Sequence, residues 1–268
     1  KTRVTNSLLT ARSYPEYNFE IIPLGVDDEL FRPMDKHVVR KESGLPDKPT
    51  AIFGGDLSPV KGWAEIERLI TRHPELHWIV VSKKVEEFSA PNVTMFTRVD
   101  QPTLAKLYNA SDVFILGSPV ETQCLAAIEA GMCDTPIVMH ETGIFWGWMP
   151  EQRNRVGWFG EDLETGLQHV LARPDTFSPR QAMLDAGLTV AAMLNSWKTL
   201  LVDIVSRERQ RAIHAGQIPF FRRVDIRTRL IIRESSLALV LSAKRVVKKV
   251  LPKRWADALG KAMYERKF

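Results

Sequence analysis

Cysteine is scarce in this chain: Cys124 and Cys133 are the only two among 268 residues. Two thiols cannot build the disulfide framework of a small secreted domain, and such sparing use fits a reducing compartment, so a cytoplasmic location is expected. Long apolar runs are missing too. The cleanest stretch near the end, Leu237 to Leu241, is far shorter than the ~18 residues a membrane span requires. The opening Lys1-Thr2-Arg3-Val4-Thr5-Asn6-Ser7 is not followed by the apolar core of a signal peptide. There is no initiator methionine, so a processed chain or a piece of a longer one is expected. Histidine is rare, with six residues, and no convincing His/Cys/carboxylate ligand cluster stands out. Repeats and low-complexity tracts are absent as well.

What remains is ordinary globular material, 44% apolar and 26% charged. The net charge of +5 conceals a division. Residues 1–205 hold 20 basic and 27 acidic side chains, whereas residues 206–268 hold 17 basic and 5 acidic. An acidic body and a strongly basic end need separate explanations.

The body alternates short apolar runs with helical patterns. Strands are expected at 19–22, 50–53, 77–81, 93–96, 112–116, 136–139 and 156–159, where Ile, Val and Phe dominate between polar or Gly/Pro boundaries. Helical spacing of three and four appears in 62–73 (Trp63, Ile66, Leu69, Ile70), in 101–110 (Leu104, Leu107, Tyr108) and in 121–132 (Leu125, Ile128, Ala130). From Glu161 onward the pattern is helical: 163–171, 179–186 and 190 to about 211. Ser178-Pro179 forms a cap-and-first-turn pair, and Gly187 a stop. Alternating strand and helix with near-continuous apolar strands predicts an α/β fold, a Rossmann-like parallel sheet flanked by helices. In such sheets ligands sit at the carboxyl ends of the strands.

Three strand-to-helix loops could carry chemistry. The first, Phe53-Gly54-Gly55-Asp56-Leu57-Ser58-Pro59-Val60-Lys61-Gly62, has two glycines that allow positive φ or close backbone approach, and then a lysine where a helix begins. Free N–H groups and the positive dipole end suit a phosphate there. A tight turn with a solvated lysine is the plainer reading. The second, Leu116-Gly117-Ser118-Pro119-Val120-Glu121, leads to a helix containing Glu129. On one continuous helix these carboxylates stand two turns plus about 80° apart, close enough to share a ligand such as a vicinal diol. Two unrelated surface glutamates would have the same spacing. Glu129, however, sits among Ala126, Ala127, Ile128 and Ala130, where a carboxylate needs a specific partner. The third, Met139-His140-Glu141-Thr142-Gly143, offers a histidine that suggests a general base, although a lone histidine is more often structural.

In series these segments resemble the C-terminal, donor-binding half of a GT-B glycosyltransferase, of glycosyltransferase family 4 (glycosyl transferases group 1). Ile22-Pro23-Leu24-Gly25-Val26-Asp27 resembles its hinge, and Gly55-Asp56-Leu57-Ser58-Pro59-Val60-Lys61-Gly62 its diphosphate loop. Leu107-Tyr108-Asn109-Ala110-Ser111-Asp112-Val113 resembles the approach to its central strand, and Glu121 to Glu129 its E-x7-E motif. The resemblance covers about residues 5–200. It implies retaining, metal-independent transfer of a sugar from a nucleotide-diphosphate sugar, which is a substrate and not a cofactor. Lys61 would contact the diphosphate, beside Gly54 and Gly55. Glu121 would hold the transferred sugar and Glu129 the ribose hydroxyls. The backbone at Arg98 and Val99 would touch the base, and backbone N–H groups at Thr122, Gln123, Cys124 and Leu125 would face sugar and phosphate. Glu121 and Lys61 are thus the expected catalytic pair.

The sequence departs from that pattern in three ways. Asp56 stands where the family has an arginine, so either Arg98, Lys83 or Lys84 substitutes as a cation, or the donor site is weakened. Thr122-Gln123-Cys124-Leu125 replaces a glycine-containing stretch. The acceptor-binding domain is missing, with 1–24 expected as its remnant and the hinge, 25–205 as the donor domain, and 206–268 as a basic helical tail. In that tail Lys244, Arg245, Lys248 and Lys249 form stripes beside Ala243, Val246, Val247 and Val250, with Trp255 after them. Such a pattern over 222–255 suits an anionic membrane surface and a peripheral position at its inner face. A helical pair packed on the body fits nearly as well, and no recognised motif supports nucleic acid. The alternative to an enzyme is a non-catalytic interaction protein with a degenerate donor site.

Overall fold

The computed structural model describes residues 2–84 and 88–214; the expected basic helices of the tail lie outside them. The first stretch contains β1 (Val4–Thr5), α1 (Leu8–Ser13), β2 (Glu20–Ile21) and α2 (Lys36–Glu42). Then come β3 (Thr50–Gly54), α3 (Trp63–Arg72), β4 (His77–Ser82), β5 (Val93–Thr97) and α4 (Gln101–Asn109). The chain continues through β6 (Val113–Leu116), α5 (Leu125–Met132), β7 (Ile137–Met139), α6 (Pro150–Asn154) and β8 (Gly157–Phe159). It closes with α7 (Leu163–Ala172), α8 (Pro179–Asp185) and the long α9 (Val190–His214).

Six strands form one parallel sheet in the order β5-β4-β3-β6-β7-β8. Every residue of β4 and β6 is buried. The central strands are therefore covered on both faces, which is why they read as unbroken apolar runs and not as alternation. Trp78, Phe53, Phe114, Ile52 and Ile79 are all less than 2% exposed, and each such side chain contributes about 1.5–3 kcal/mol by leaving water. Counted from β3, the order is 3-2-1-4-5-6, that of doubly wound dinucleotide-binding sheets, in which the chain reverses direction between its first and fourth strands. Here that reversal falls between β3 and β6, and their carboxyl ends carry the glycine loop and the Glu121 loop. β1 and β2 pair separately as a two-stranded parallel sheet, Val4 beside Glu20 and Thr5 beside Ile21.

The expected strands are all present, with ends shifted by a residue or so. Helices α1, α2 and α6 were not anticipated, because five to seven residues are too few to establish a helical period. Local caps fix two of them: Thr10 N donates to Ser7 Oγ at 3.2 Å, and Val38 N to Asp35 Oδ1 at 3.0 Å.

The base of the sheet is tied by Asp112. One carboxylate oxygen accepts from Lys36 Nζ at 2.6 Å; the other accepts from Arg40 at 2.6 Å and from Thr50 N at 2.7 Å. Arg40 is 5% exposed and also donates to Ala110 O at 2.8 Å. Burial alone would raise the Asp112 pKa, but the Lys36 hydrogen bond and charge, the Thr50 amide and Arg40 outweigh it and hold the group below the usual carboxylate range. This carboxylate therefore stabilises the fold above the ordinary aspartate pKa, and its contribution disappears as pH falls through the depressed folded value. Replacement Asp112→Ala should cost about 3 kcal/mol, the lower end for stranding a buried charge, since Ala110 O still accepts from Arg40. Urea unfolding at neutral pH measures the loss, and at low pH the gap between wild type and variant should narrow.

Candidate functional site

The glycine loop and the Glu121 loop meet backbone to backbone. Gly62 has φ +69, and a Cβ there would lie 2.0 Å from Gly117 O; only glycine fits. The sequence suggested that Gly54 and Gly55 supply the positive φ, but neither is left-handed. Gly55 instead permits close approach, since a Cβ on it would lie 3.3 Å from Lys61 Cγ. Ser118, fully buried, donates its hydroxyl to Val60 O at 2.8 Å and so joins the second loop to the first.

This contact brings together the expected catalytic pair. Lys61 Nζ lies 2.6 Å from Glu121 Oε1, with the carboxylate side chain only 13% exposed. Glu121 N donates to Thr142 Oγ1 at 2.8 Å, so the third loop holds Glu121 from the other side. A short charge-assisted bond in a partly dry place is strong and directional.

Glu121 and Glu129 are not arranged as their spacing suggested. The helix predicted from 121 begins at Leu125. Cys124 has φ 64, and this left-handed residue breaks the run, so the two glutamates do not share a helix and the angle drawn from their spacing does not apply. Between them Cys124 has its thiol pushed up to about 12, mainly by burial, with the negative charges of Glu121 and Glu129 adding. No side chain caps α5, which leaves its first-turn amides, near Leu125, open to a ligand.

Glu129 has the partner that its apolar setting demanded. Tyr108 Oη donates to Glu129 Oε2 at 3.3 Å, and a Cβ on Gly54 would stand 3.8 Å from that hydroxyl. Burial pushes Glu129 up to about 7, while the Tyr108 hydrogen bond and the charge of Lys83 pull the other way. Tyr108 is itself 1% exposed. Its part in the site was not read from the sequence, where it counted only as one of the apolar positions of a helix.

The acid at position 56 is answered by Lys84: Nζ lies 3.2 Å from Asp56 Oδ2. Arg98 is occupied elsewhere. Its Nε donates to Lys83 O at 3.2 Å, its backbone N to Ser82 O at 3.0 Å, and it holds φ 54. Val99 packs against the core from half-buried. Both ring nitrogens of His140 have neighbours: Nδ1 lies 3.0 Å from Gly160 O, and Nε2 3.4 Å from Glu65. Thr122 is exposed, whereas Gln123 and Cys124 are buried. The Gln123 side chain is bound to the backbone of Leu24. Nothing in the spacing of the motif signalled that contact, because Leu24 lies 99 residues away.

Residues 35–146 match the family model for glycosyl transferases group 1. A D-inositol 3-phosphate glycosyltransferase of Segniliparus rotundus is 29% identical over 227 residues, covering 76% of this chain and 49% of that protein. A D-inositol 3-phosphate glycosyltransferase 2 of Catenulispora acidiphila is 33% identical over 143 residues, 44% of this chain and 34% of that protein. The chain thus spans about half the length, or less, of these curated relatives. Among solved structures, sucrose-phosphate synthase from Thermosynechococcus elongatus superposes with a TM-score of 0.66 at 20% identity, over 76% of this chain and 58% of that one. Anabaena HepE, solved with UDP-glucose, gives 0.61 at 16% identity, over 75% and 64%. Residues 35–146 of this chain thus match the glycosyl transferases group 1 family model, and the sheet that carries them has the Rossmann-like fold of GT-B glycosyltransferases.

Proposed function

We propose that the body binds a nucleotide-diphosphate sugar and forms the donor half of a retaining, metal-independent glycosyltransferase of family 4. The observation that carries this reading is the Lys61–Glu121 pair at 2.6 Å, set where the strand order reverses and flanked by the uncapped start of α5. Lys61 and the open amides suit the two phosphates. Charge that develops on the departing diphosphate is then stabilised by a fixed cation and a helix terminus. Glu121, once Lys61 turns to phosphate, is free to accept hydrogen bonds from the sugar. Glu129 suits the ribose hydroxyls, and the backbone at Arg98 and Val99 suits the base. HepE, with the same fold, was solved with UDP-glucose, which supports a nucleotide-sugar donor here.

An acceptor half is needed to complete the cleft, supplied by the same parent chain or a separate one. The acceptor we propose is lipid-linked or part of the cell envelope, reached from the cytoplasmic side by a peripheral enzyme. The basic segment 222–255 that suggests an anionic membrane lies outside the described residues. Among the described residues no helix is long and apolar enough to cross a membrane.

Asp56 motivates the rival reading, a non-catalytic protein with a spent donor site. The Lys84 contact favours an active site that has been re-wired: Lys84 neutralises Asp56 and brings a second cation to the glycine loop. In a thermal-shift screen, at least one of UDP, GDP and ADP should stabilise the protein, by about 2.7 kcal/mol at a hundredfold excess over Kd. No shift with any of the three would favour the rival. Replacement Lys61→Ala should weaken the binding nucleotide about tenfold or more, as titration calorimetry would read. Replacement Lys84→Ala should weaken it as well, since it removes a cation and unmasks Asp56; unchanged affinity would remove Lys84 from the site.

Glu129 makes binding depend on pH. To accept from two ribose hydroxyls it must be ionised, so affinity should rise between pH 6 and 8 around the value of about 7 to which burial pushes the group, and this rise should vanish in Glu129→Gln. The unliganded protein should respond in the opposite sense. A carboxyl whose folded pKa is raised binds more protons folded than unfolded, so its contribution to stability falls as pH climbs from the ordinary glutamate value through the folded one.

A further inference from the structure

Gln123 stands two residues beyond Glu121, yet its side chain serves neither the loop nor solvent. It is 2% exposed and holds both main-chain polar groups of one residue of the entering chain, Leu24. Leu24 N donates to its Oε1 at 2.8 Å, and its Nε2 donates to Leu24 O at 2.7 Å. Only one orientation of the amide satisfies both bonds, so donor and acceptor are fixed by their partners. Hydrophobic burial at this position would need no such pairing, and an unmatched amide here would be costly.

The segment that Gln123 holds is itself pinned. Val26 N donates to Leu188 O at 2.9 Å, and Val190 N to Val26 O at 3.0 Å. A Cβ on Gly25 would lie 2.2 Å from Thr189 O, so Leu24–Val26 is wedged between the turn before α5 and the start of α9. On the other side, Gln123 O accepts from Ile144 N at 3.3 Å. The 143–147 turn that supplies this donor is covered by α1, where Leu8 Cδ2 would stand 2.4 Å from a Cβ on Gly147. The entering segment therefore reaches the turn 121–124 by two routes, one through Leu24 and one through α1. Both end on Gln123, whose neighbours are the carboxylate bound to Lys61 and the left-handed residue that starts α5.

We infer that Gln123 is a positioning residue for the donor site: its amide sets the turn 121–124 against the entering segment Leu24–Val26, so the hold of the site on its sugar and the order of that segment are coupled. The inference rests on the donor reading above. Linkage makes the coupling reciprocal, so a donor that orders the turn must also order Leu24–Val26. Replacement Gln123→Met keeps the volume and removes both hydrogen bonds. Gln123→Glu keeps the acceptor for Leu24 N and sets a carboxylate oxygen against Leu24 O.

The test is amide hydrogen exchange of the whole chain with and without saturating UDP-glucose, GDP-mannose or ADP-glucose, each in turn. In the wild type the binding donor should slow exchange in two peptides, one covering 54–62 and one covering 22–26, the second by about fivefold. In Gln123→Met the protection of 54–62 should persist while that of 22–26 falls below about twofold. Gln123→Glu should behave likewise should the Met variant fail to fold. A purely packing role would lower the melting temperature in both variants but leave the donor-induced protection of 22–26 unchanged, and that result would overturn the inference. If no nucleotide sugar protects 54–62 in the wild type, the donor reading falls and the inference with it. Protection of 54–62 without protection of 22–26 would sink the inference alone.

Discussion

The site depends on the contact between Gly62 and Gly117. Two loops leave neighbouring strands at the reversal of the sheet, and they carry the two charged groups that must meet. With a side chain at either position the loops would be forced apart, because the opposing atoms are main-chain carbonyl and Cα atoms that cannot rotate away. Ser118 adds a hydrogen bond across the same junction. The 2.6 Å Lys61–Glu121 pair then follows from where the backbones are held. Further from the ligand, Asp112 locks β6 to β3 through Thr50 N and to α2 through Lys36 and Arg40. The start of each strand is thus fixed by a carboxylate, and its end by glycine-permitted approach.

Much of the fold could be read from the sequence because burial on both faces leaves an unmistakable trace. Strands β3, β4 and β6 are runs of Ile, Val and Phe, and α3 repeats its apolar residues at three and four. The short helices left no such trace. The start of α5 was misjudged for a different reason. Cys124 is left-handed, in a turn packed against Gly143 and bonded through Gln123 O to Ile144 N, contacts that local propensity does not record.

The site was legible as a set of residues and much less as a geometry. Lys61, Glu121 and Glu129 could be picked from the loops, with the family resemblance supplying roles that the residues alone left open. Tyr108 and Thr142 could not, since each acts through a partner distant in sequence: Tyr108 on Glu129, Thr142 on Glu121; Lys84 was one of three cations offered against Asp56, and the fold is what sets it beside that carboxylate. Gln123 is the clearest case. In the sequence it is a side chain where glycine was expected, and so an obstacle to a ligand; in the fold that side chain is buried on the backbone of Leu24. Asp56 likewise reads as a charge of the wrong sign until Lys84 is seen beside it.

The Lys61–Glu121 pair has a bearing on which anions the site would retain. The cation is already satisfied by the carboxylate of Glu121, a residue whose backbone amide is held by Thr142, so the site contains its own competitor. Inorganic phosphate or a single phosphoester would have to displace that carboxylate while offering nothing in return to Glu121. A donor that brings both a diphosphate for Lys61 and hydroxyls for Glu121 exchanges one bond for two sets. Selectivity against the abundant small phosphates of a cell would then come from an internal ion pair and not from the shape of a pocket, in a body whose net negative charge gives free anions no general attraction.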